Sequence, residues 1–225
     1  VILVRLEEKV DMRFDRGQLL IYAVTDRAWT GKMSLYDQVE AALKGGATMV
    51  QMREKGLTDE NVQDYLEEAR RLRRLTERYN VPFLIDDHVK LALLCGADGV
   101  HVGQSDMEAG RAREILGPDK ILGVTAKTVE QALKAQDQGA DYLGSGAVFG
   151  TSTKSDALPM TKERLGEICR SVSIPVVAIG GICLENIEKL QGSQVAGAAI
   201  VSGIFGARDI EATTRQLRQK MEKCL

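Results

Sequence analysis

The residues best suited to chemistry fall into three groups. The first is made of carboxylates: Asp86 and Asp87 stand together in FLIDDH, and Asp106 follows DGVHVGQ. Converging carboxylates suit a hard divalent cation, and magnesium takes one or two of them together with waters and phosphate oxygens. Asp is equally common just before a helix, so capping stands beside metal binding as an explanation of these residues. The second group is cationic and hydrogen-bonding: Gln51, Arg53 and Lys55 in QMREK, with Lys154 further along. Arg supplies a two-pronged fork and Lys a compact charge, a pair suited to pyrophosphate. A salt-bridge network with Glu54 and the aspartates would use the same side chains. The third group is glycine-rich: Gly180–Gly181, then Val201–Ser202–Gly203, with the hydroxyl-bearing GTSTK at 150–154. Bare backbone N–H groups at such sites can approach a phosphate.

These groups share one placement. Apolar, β-branched runs occupy 19–26, 49–55, 83–88, 98–104, 121–128, 142–154, 175–182 and 197–205, and each ends in polar residues. Helical patterns fill gaps between them. Ser34 caps LYDQVEAALKGG, Asp59 opens ENVQDYLEEARRLRRLTERYN, and further helices are expected near 107–116, 129–138, 161–171, 184–190 and 210–223. Eight such runs, with a helical pattern after seven of them, predict an α/β fold: a single-domain (β/α)8 TIM barrel over 19–225, with its active site at the carboxyl ends of the strands. Residues 1–18 read as a short N-terminal extension, of which 1–14 could coil as an amphipathic helix packed outside the barrel. In the strand count, the glycine-rich loops follow strands seven and eight, where barrels commonly bind phosphate. Residues 51, 53 and 55 would share one strand face.

Composition narrows the partners. The chain has 225 residues, 44% hydrophobic and 28% charged, with net charge −2, which offers no electrostatic case for nucleic acid or an anionic membrane. The arginines at 70, 71, 73 and 74 read as a solvated helix face, because acidic residues precede them closely. No apolar run approaches the roughly 20 residues of a membrane span. The opening VILV is broken at once by Arg5, Glu7, Glu8 and Lys9, unlike a secretory signal. Four scattered cysteines without metal-type spacing read as reduced thiols of a cytoplasmic protein. Small-molecule substrates are the expected partners, and a homo-oligomer is left open.

The chemistry that is missing also constrains the reaction. There are two histidines, no GxSxG elbow and no cysteine at a strand end beside a base. A reaction needing little acid–base machinery fits best. Loss of pyrophosphate from an activated carbon, followed by attack of a neutral nitrogen, is one that electrostatic stabilisation of the leaving group can carry.

The stretches YAVTD, QMREK, LIDDH, ADGVHVGQSD, GVTAKT, ADYLGSGAVFGTSTK, PVVAIGGI and AIVSGIF, in this order, resemble the thiamine-phosphate synthase family over about 19–205. The resemblance implies a transferase of thiamine biosynthesis that depends on Mg2+. It would join 4-amino-2-methyl-5-hydroxymethylpyrimidine diphosphate to 4-methyl-5-(2-phosphoethyl)thiazole and release pyrophosphate. It further implies that Gln51, Arg53, Lys55, Asp86, Thr125 and Lys154 hold the pyrimidine diphosphate, with Arg53, Lys55 and Lys154 carrying the catalysis. Asp87 and Asp106 would bind the metal, and Thr151, Thr153, Gly181, Val201 and Ser202 the thiazole phosphate. His101 would contact the aminopyrimidine or simply pack inside the barrel. This chain departs from the family where Asp86–Asp87–His88 replaces Asn–Asp–Arg, where Thr125 replaces Ser, and where Ala147 and Gly150 replace prolines. A charge at Asp86 beside a pyrophosphate is the departure with most consequence. Two other readings share the barrel: a thiazole tautomerase or another phosphate-handling enzyme, and a non-catalytic sensor of thiamine precursors.

Overall fold

A computed structural model describes residues 14–31, 33–150 and 160–225. Eight parallel strands close on themselves in sequence order. They are β1 (Ile21–Val24), β2 (Met49–Met52), β3 (Phe83–Asp86), β4 (Gly99–Val102), β5 (Ile121–Thr125), β6 (Tyr142–Gly146), β7 (Val176–Ile179) and β8 (Gly197–Ile200). Around them lie α1 (Leu35–Lys44), α2 (Val62–Arg78), α3 (Val89–Cys95), α4 (Ala109–Leu116), α5 (Val129–Asp137), α6 (Lys162–Ser171), α7 (Ser202–Phe205) and α8 (Ile210–Glu222). This is the barrel the alternation predicts.

Period-two alternation along each strand divides the core in two. Ile21, Ala23, Val50, Ile85 and Val100 face the helices and pack with their apolar stripes. Tyr22, Val24, Met49, Leu84, Tyr142 and Val177 face the barrel axis. Strands buried on both faces have no polar side to show, which is why they read as continuous apolar runs. At the amino end, Asp15 caps a single 3-10 turn, Arg16–Leu19, by accepting from Gly17 N, and Leu19 enters the axial core.

Several expected boundaries move. Each strand is four or five residues long, so the predicted runs include the loops after them. The run at 197–205 ends as a strand at Ile200; Val201 leaves extended geometry (φ −102°, ψ −89°) and Ser202–Phe205 coils as α7. An apolar run does not record that bend. The helix expected at 184–190 is a 3-10 turn, Ile187–Leu190. Helix α3 lies in a gap where no helical period is legible, because Leu93 and Leu94 are exposed although apolar and blur its stripe. Residues 1–13 of the expected outer helix lie outside the described residues. Phe14, its last residue, is instead turned into the barrel, its ring stacked 5.6 Å from that of Tyr142. Along α2, Arg70 pairs with Glu67 on the solvated face as expected, whereas Arg73 is largely covered and reaches across to Asp98 and to the carbonyl of Gly96.

Candidate active site

The carboxyl ends of the strands surround a cavity of about 430 Å³. Its lining includes Gln51, Arg53, Asp86, His101, Asp106, Thr125, Gly181, Val201 and Ser202. Thus residues from β2 to β5 meet the loops after β7 and β8 across one mouth. Lys55 and Asp87 are exposed and are not part of this lining, though each follows a lining residue, Arg53 or Asp86, within two positions of the chain; Thr151, Thr153 and Lys154 lie outside the described residues. Lys55 departs from expectation in one respect. Strand β2 ends at Met52, so Lys55 belongs to a turn and does not continue the strand face of residues 51 and 53.

Arg53 is gripped from two sides. Its Nη1 donates to Asp26 Oδ2 at 2.8 Å, and its Nε lies 3.4 Å from Asp86 Oδ2. The Arg53 and Asp26 side chains are only 9% and 10% exposed. Its backbone N–H donates to Thr25 Oγ1, so the two residues ending YAVTD fix both ends of this arginine. Neither Thr25 nor Asp26 stands out in the sequence beyond closing that strand run. The pairing offsets the charge at Asp86 only in part, because one guanidinium is shared between two carboxylates and holds Asp26 more tightly (2.8 Å) than Asp86 (3.4 Å). The expected network of QMREK is therefore real for Arg53, whereas Glu54 pairs with Arg27 at 2.8 Å. Burial holds the Glu54 carboxyl above its usual range.

Helix capping does not account for the other carboxylates. The N-cap of α3 is His88, whose Nδ1 accepts from Leu91 N, and the N-cap of α4 is Glu108. Asp106 Oδ2 accepts from Gly103 N at 2.8 Å, closing a tight turn after β4. Asp87 is exposed with a left-handed backbone (φ +59°), and its N–H donates to His101 O across β3 and β4. Among the described residues no three His, Cys, Asp or Glu side chains form a ready metal cluster. Two exposed-side carboxylates beside a cavity suit magnesium, which completes its shell with water and phosphate oxygens.

On the opposite side, Gly180 and Gly181 both take positive φ (+103° and +64°). A Cβ at Gly181 would stand 2.0 Å from Gly150 O, so only glycine lets these two loops touch. Helix α7 starts at Ser202, and the first N–H groups of a helix have no partner within it. A short extra helix after strand eight is where barrels commonly hold a phosphate.

The floor of the cavity is a run of side-chain hydrogen bonds. Gln51 Nε2 donates to the Tyr22 hydroxyl (2.8 Å), which bonds the Tyr142 hydroxyl (2.9 Å). Tyr142 bonds His101 Nδ1, and His101 Nε2 bonds Thr125 Oγ1, both at 3.0 Å. His101 is therefore both lining and hydrogen-bonded, and its two expected roles are not exclusive. Room for it comes from Gly123, where a Cβ would sit 2.2 Å from Tyr142 Cζ and 2.5 Å from His101 Nδ1. Burial pushes both phenols well above the usual tyrosine range. Tyr22 and Tyr142 are missed by motif reading; their interior strand positions are the signal that could have found them.

Cations, carboxylates and glycine-rich loops around one cavity at the strand ends of a (β/α)8 barrel define a phosphate-handling barrel enzyme. The family model for thiamine monophosphate synthase matches residues 21–204. The chain belongs to that family and is a transferase of thiamine biosynthesis. It is 46% identical to a thiamine-phosphate synthase of Clostridium botulinum, over 90% of this chain and 94% of that protein. It is 44% identical to thiamine-phosphate synthase 2 of Streptococcus pneumoniae, over 94% and 99% respectively. A solved thiamine phosphate pyrophosphorylase from Pyrococcus furiosus superposes with a TM-score of 0.85 at 40% identity, over 93% of this chain and 98% of that one. No helix among the described residues is long and apolar enough to cross a membrane.

Proposed function

We propose that this chain joins 4-amino-2-methyl-5-hydroxymethylpyrimidine diphosphate to 4-methyl-5-(2-phosphoethyl)thiazole with Mg2+, giving thiamine phosphate and pyrophosphate, in the cytoplasm. The observation that carries this reading is the clamped Arg53 with Asp86, facing the Gly180–Gly181 and Val201–Ser202 loops across one cavity. Two anion-binding sides on one mouth suit two phosphorylated substrates. In the reaction the C–O bond to the diphosphate breaks with its electron pair leaving on oxygen, and the thiazole nitrogen lone pair forms the new C–N bond. No proton needs to move in either step, which suits a cavity whose tyrosines are held neutral. Arg53, Lys55 and Lys154 would hold and neutralise the departing diphosphate, with Gln51, Asp86 and Thr125 orienting it. Asp87 and Asp106 would hold Mg2+, which when bound supplies positive charge to the diphosphate oxygens. Thr151, Thr153, Gly181, Val201 and Ser202 would seat the thiazole phosphate, and His101 would lie under the pyrimidine. The contact of Asp86 with Arg53 argues against a sensor disabled by that carboxylate. The test is incubation with both substrates and Mg2+: thiamine phosphate and pyrophosphate should appear in equal amounts, and their absence would sink the reading.

A further inference from the structure

We propose that Tyr22 and Tyr142 are positioning residues, which hold His101 in its Nε2–H tautomer and turn the Thr125 hydroxyl proton toward the cavity through a one-way chain of hydrogen bonds starting at Gln51. Each hydroxyl in the chain has one proton and two partners, so the direction at one end sets the direction at the other. The Gln51 amide lies with its nitrogen 2.8 Å from the Tyr22 oxygen, where it can only donate; turned over, its oxygen would accept and the whole chain would run the other way. Tyr22 must then give its own proton to Tyr142, 2.9 Å away, and Tyr142 must give its proton to His101 Nδ1. With Nδ1 accepting, the ring carries its proton on Nε2 and donates it to Thr125 Oγ1. The Thr125 proton is left to point at a cavity ligand, and Thr125 lines the cavity.

The reverse direction would have the opposite effect. Thr125 would donate inward to His101 and offer only lone pairs to the cavity, which repel an anion. The forward direction makes it a donor to a phosphate oxygen. Both tyrosines are fully buried, so water does not scramble the order. Phe14 and Gly123 support the arrangement from below and beside it, the first by stacking on Tyr142 and the second by leaving space for both rings. The two side chains at the ends, Gln51 and Thr125, thus act as one unit although they belong to different strands.

The consequence for substrate rests on the proposed pyrimidine diphosphate reading, but the tautomer does not. Nitrogen NMR of protein labelled at its histidines separates the two. The chain has only two histidines, and His88→Gln identifies the signals of His101. In the unsubstituted protein at mildly alkaline pH, His101 should be protonated on Nε2 with a hydrogen-bonded Nδ1. Tyr142→Phe should move the Nδ1 resonance to that of an unbonded ring nitrogen, and Tyr22→Phe should admit the second tautomer. Both variants should raise KM for the pyrimidine diphosphate about tenfold while leaving that for the thiazole phosphate within about twofold. An unchanged His88 signal reports that each variant is folded; should both variants misfold, the tautomer of the unsubstituted protein decides alone. An Nδ1–H tautomer in that protein, or an unchanged diphosphate KM in both folded variants, overturns the proposal. If no thiamine phosphate forms at all, the function reading fails while the tautomer still reports on the chain.

Discussion

At the scale of single residues, the carboxylates divide by what holds them. Asp26 and Asp86 grip Arg53, whereas Asp87 and Asp106 keep to the rim, Asp106 with one oxygen in a turn to Gly103. Replacing Asp87 or Asp106 by Ala should remove most turnover and leave the fold intact, with a stability loss of about 1 kcal/mol for the lost turn bond at Asp106. Activity against added Mg2+ and a chelator, with thermal melts alongside, checks this; full activity of Asp87→Ala in chelator would remove the metal assignment. Asp86→Asn should stay active and bind the pyrimidine diphosphate equally or more tightly. It removes an anion near the diphosphate while Asp26 keeps its 2.8 Å hold on Arg53. Titrating that binding against magnesium for both forms is decisive. Loss of binding in Asp86→Asn would make Asp86 an obligatory metal ligand, and turnover gained only in the mutant would favour the sensor.

At the scale of elements, strands set the site and glycines decide how closely they approach. Gly123 in β5 faces the Tyr142 and His101 rings, with no room for a methyl group. Gly123→Ala should cost about 1–3 kcal/mol through overpacking and also lower turnover, because the rings it displaces floor the cavity. Gly96 ends α3 with φ +71° and nothing within 4 Å of an added Cβ. Gly96→Ala should cost about 1 kcal/mol of backbone strain and leave turnover unchanged. Thermal melts and steady-state rates on the pair separate crowding at the site from strain at a distance. Equal rates for the two would show that the Tyr142–His101 contact is dispensable.

At the scale of the whole molecule, closure of the barrel brings residues 149 positions apart to one mouth. Arg53 from the second unit and Ser202 from the eighth line the same cavity. The two anion sides should therefore separate by mutation. Lys55→Ala should weaken the pyrimidine diphosphate about tenfold or more, since a charged contact to phosphate is worth roughly 1.5–3 kcal/mol. Ser202→Ala should weaken the thiazole phosphate, by less. Separate KM values for each substrate check both. If either change struck both substrates equally, the two-sided arrangement would be wrong.

The sequence by itself determined the barrel and where its chemistry gathers. Both are written locally: β-branched runs make buried strands, and polar residues at their carboxyl ends must lie at the mouth once eight units close. Gln51, Arg53 and Asp86 stood out for that reason, whereas His101 and Thr125 entered only through the family resemblance. The tertiary structure decided their partners. Tyr22 meets Tyr142 across 120 positions, and Arg53 meets Asp26 across 27. Such pairs depend on which strand residues face inward and on how barrel closure staggers the strands, and neither is a property of a short stretch of chain. The short helix at Ser202 and the inward turn of Phe14 belong to the same class. An apolar residue reads alike whether it continues a strand, starts a helix or plugs a barrel, and only the space left by its neighbours distinguishes them.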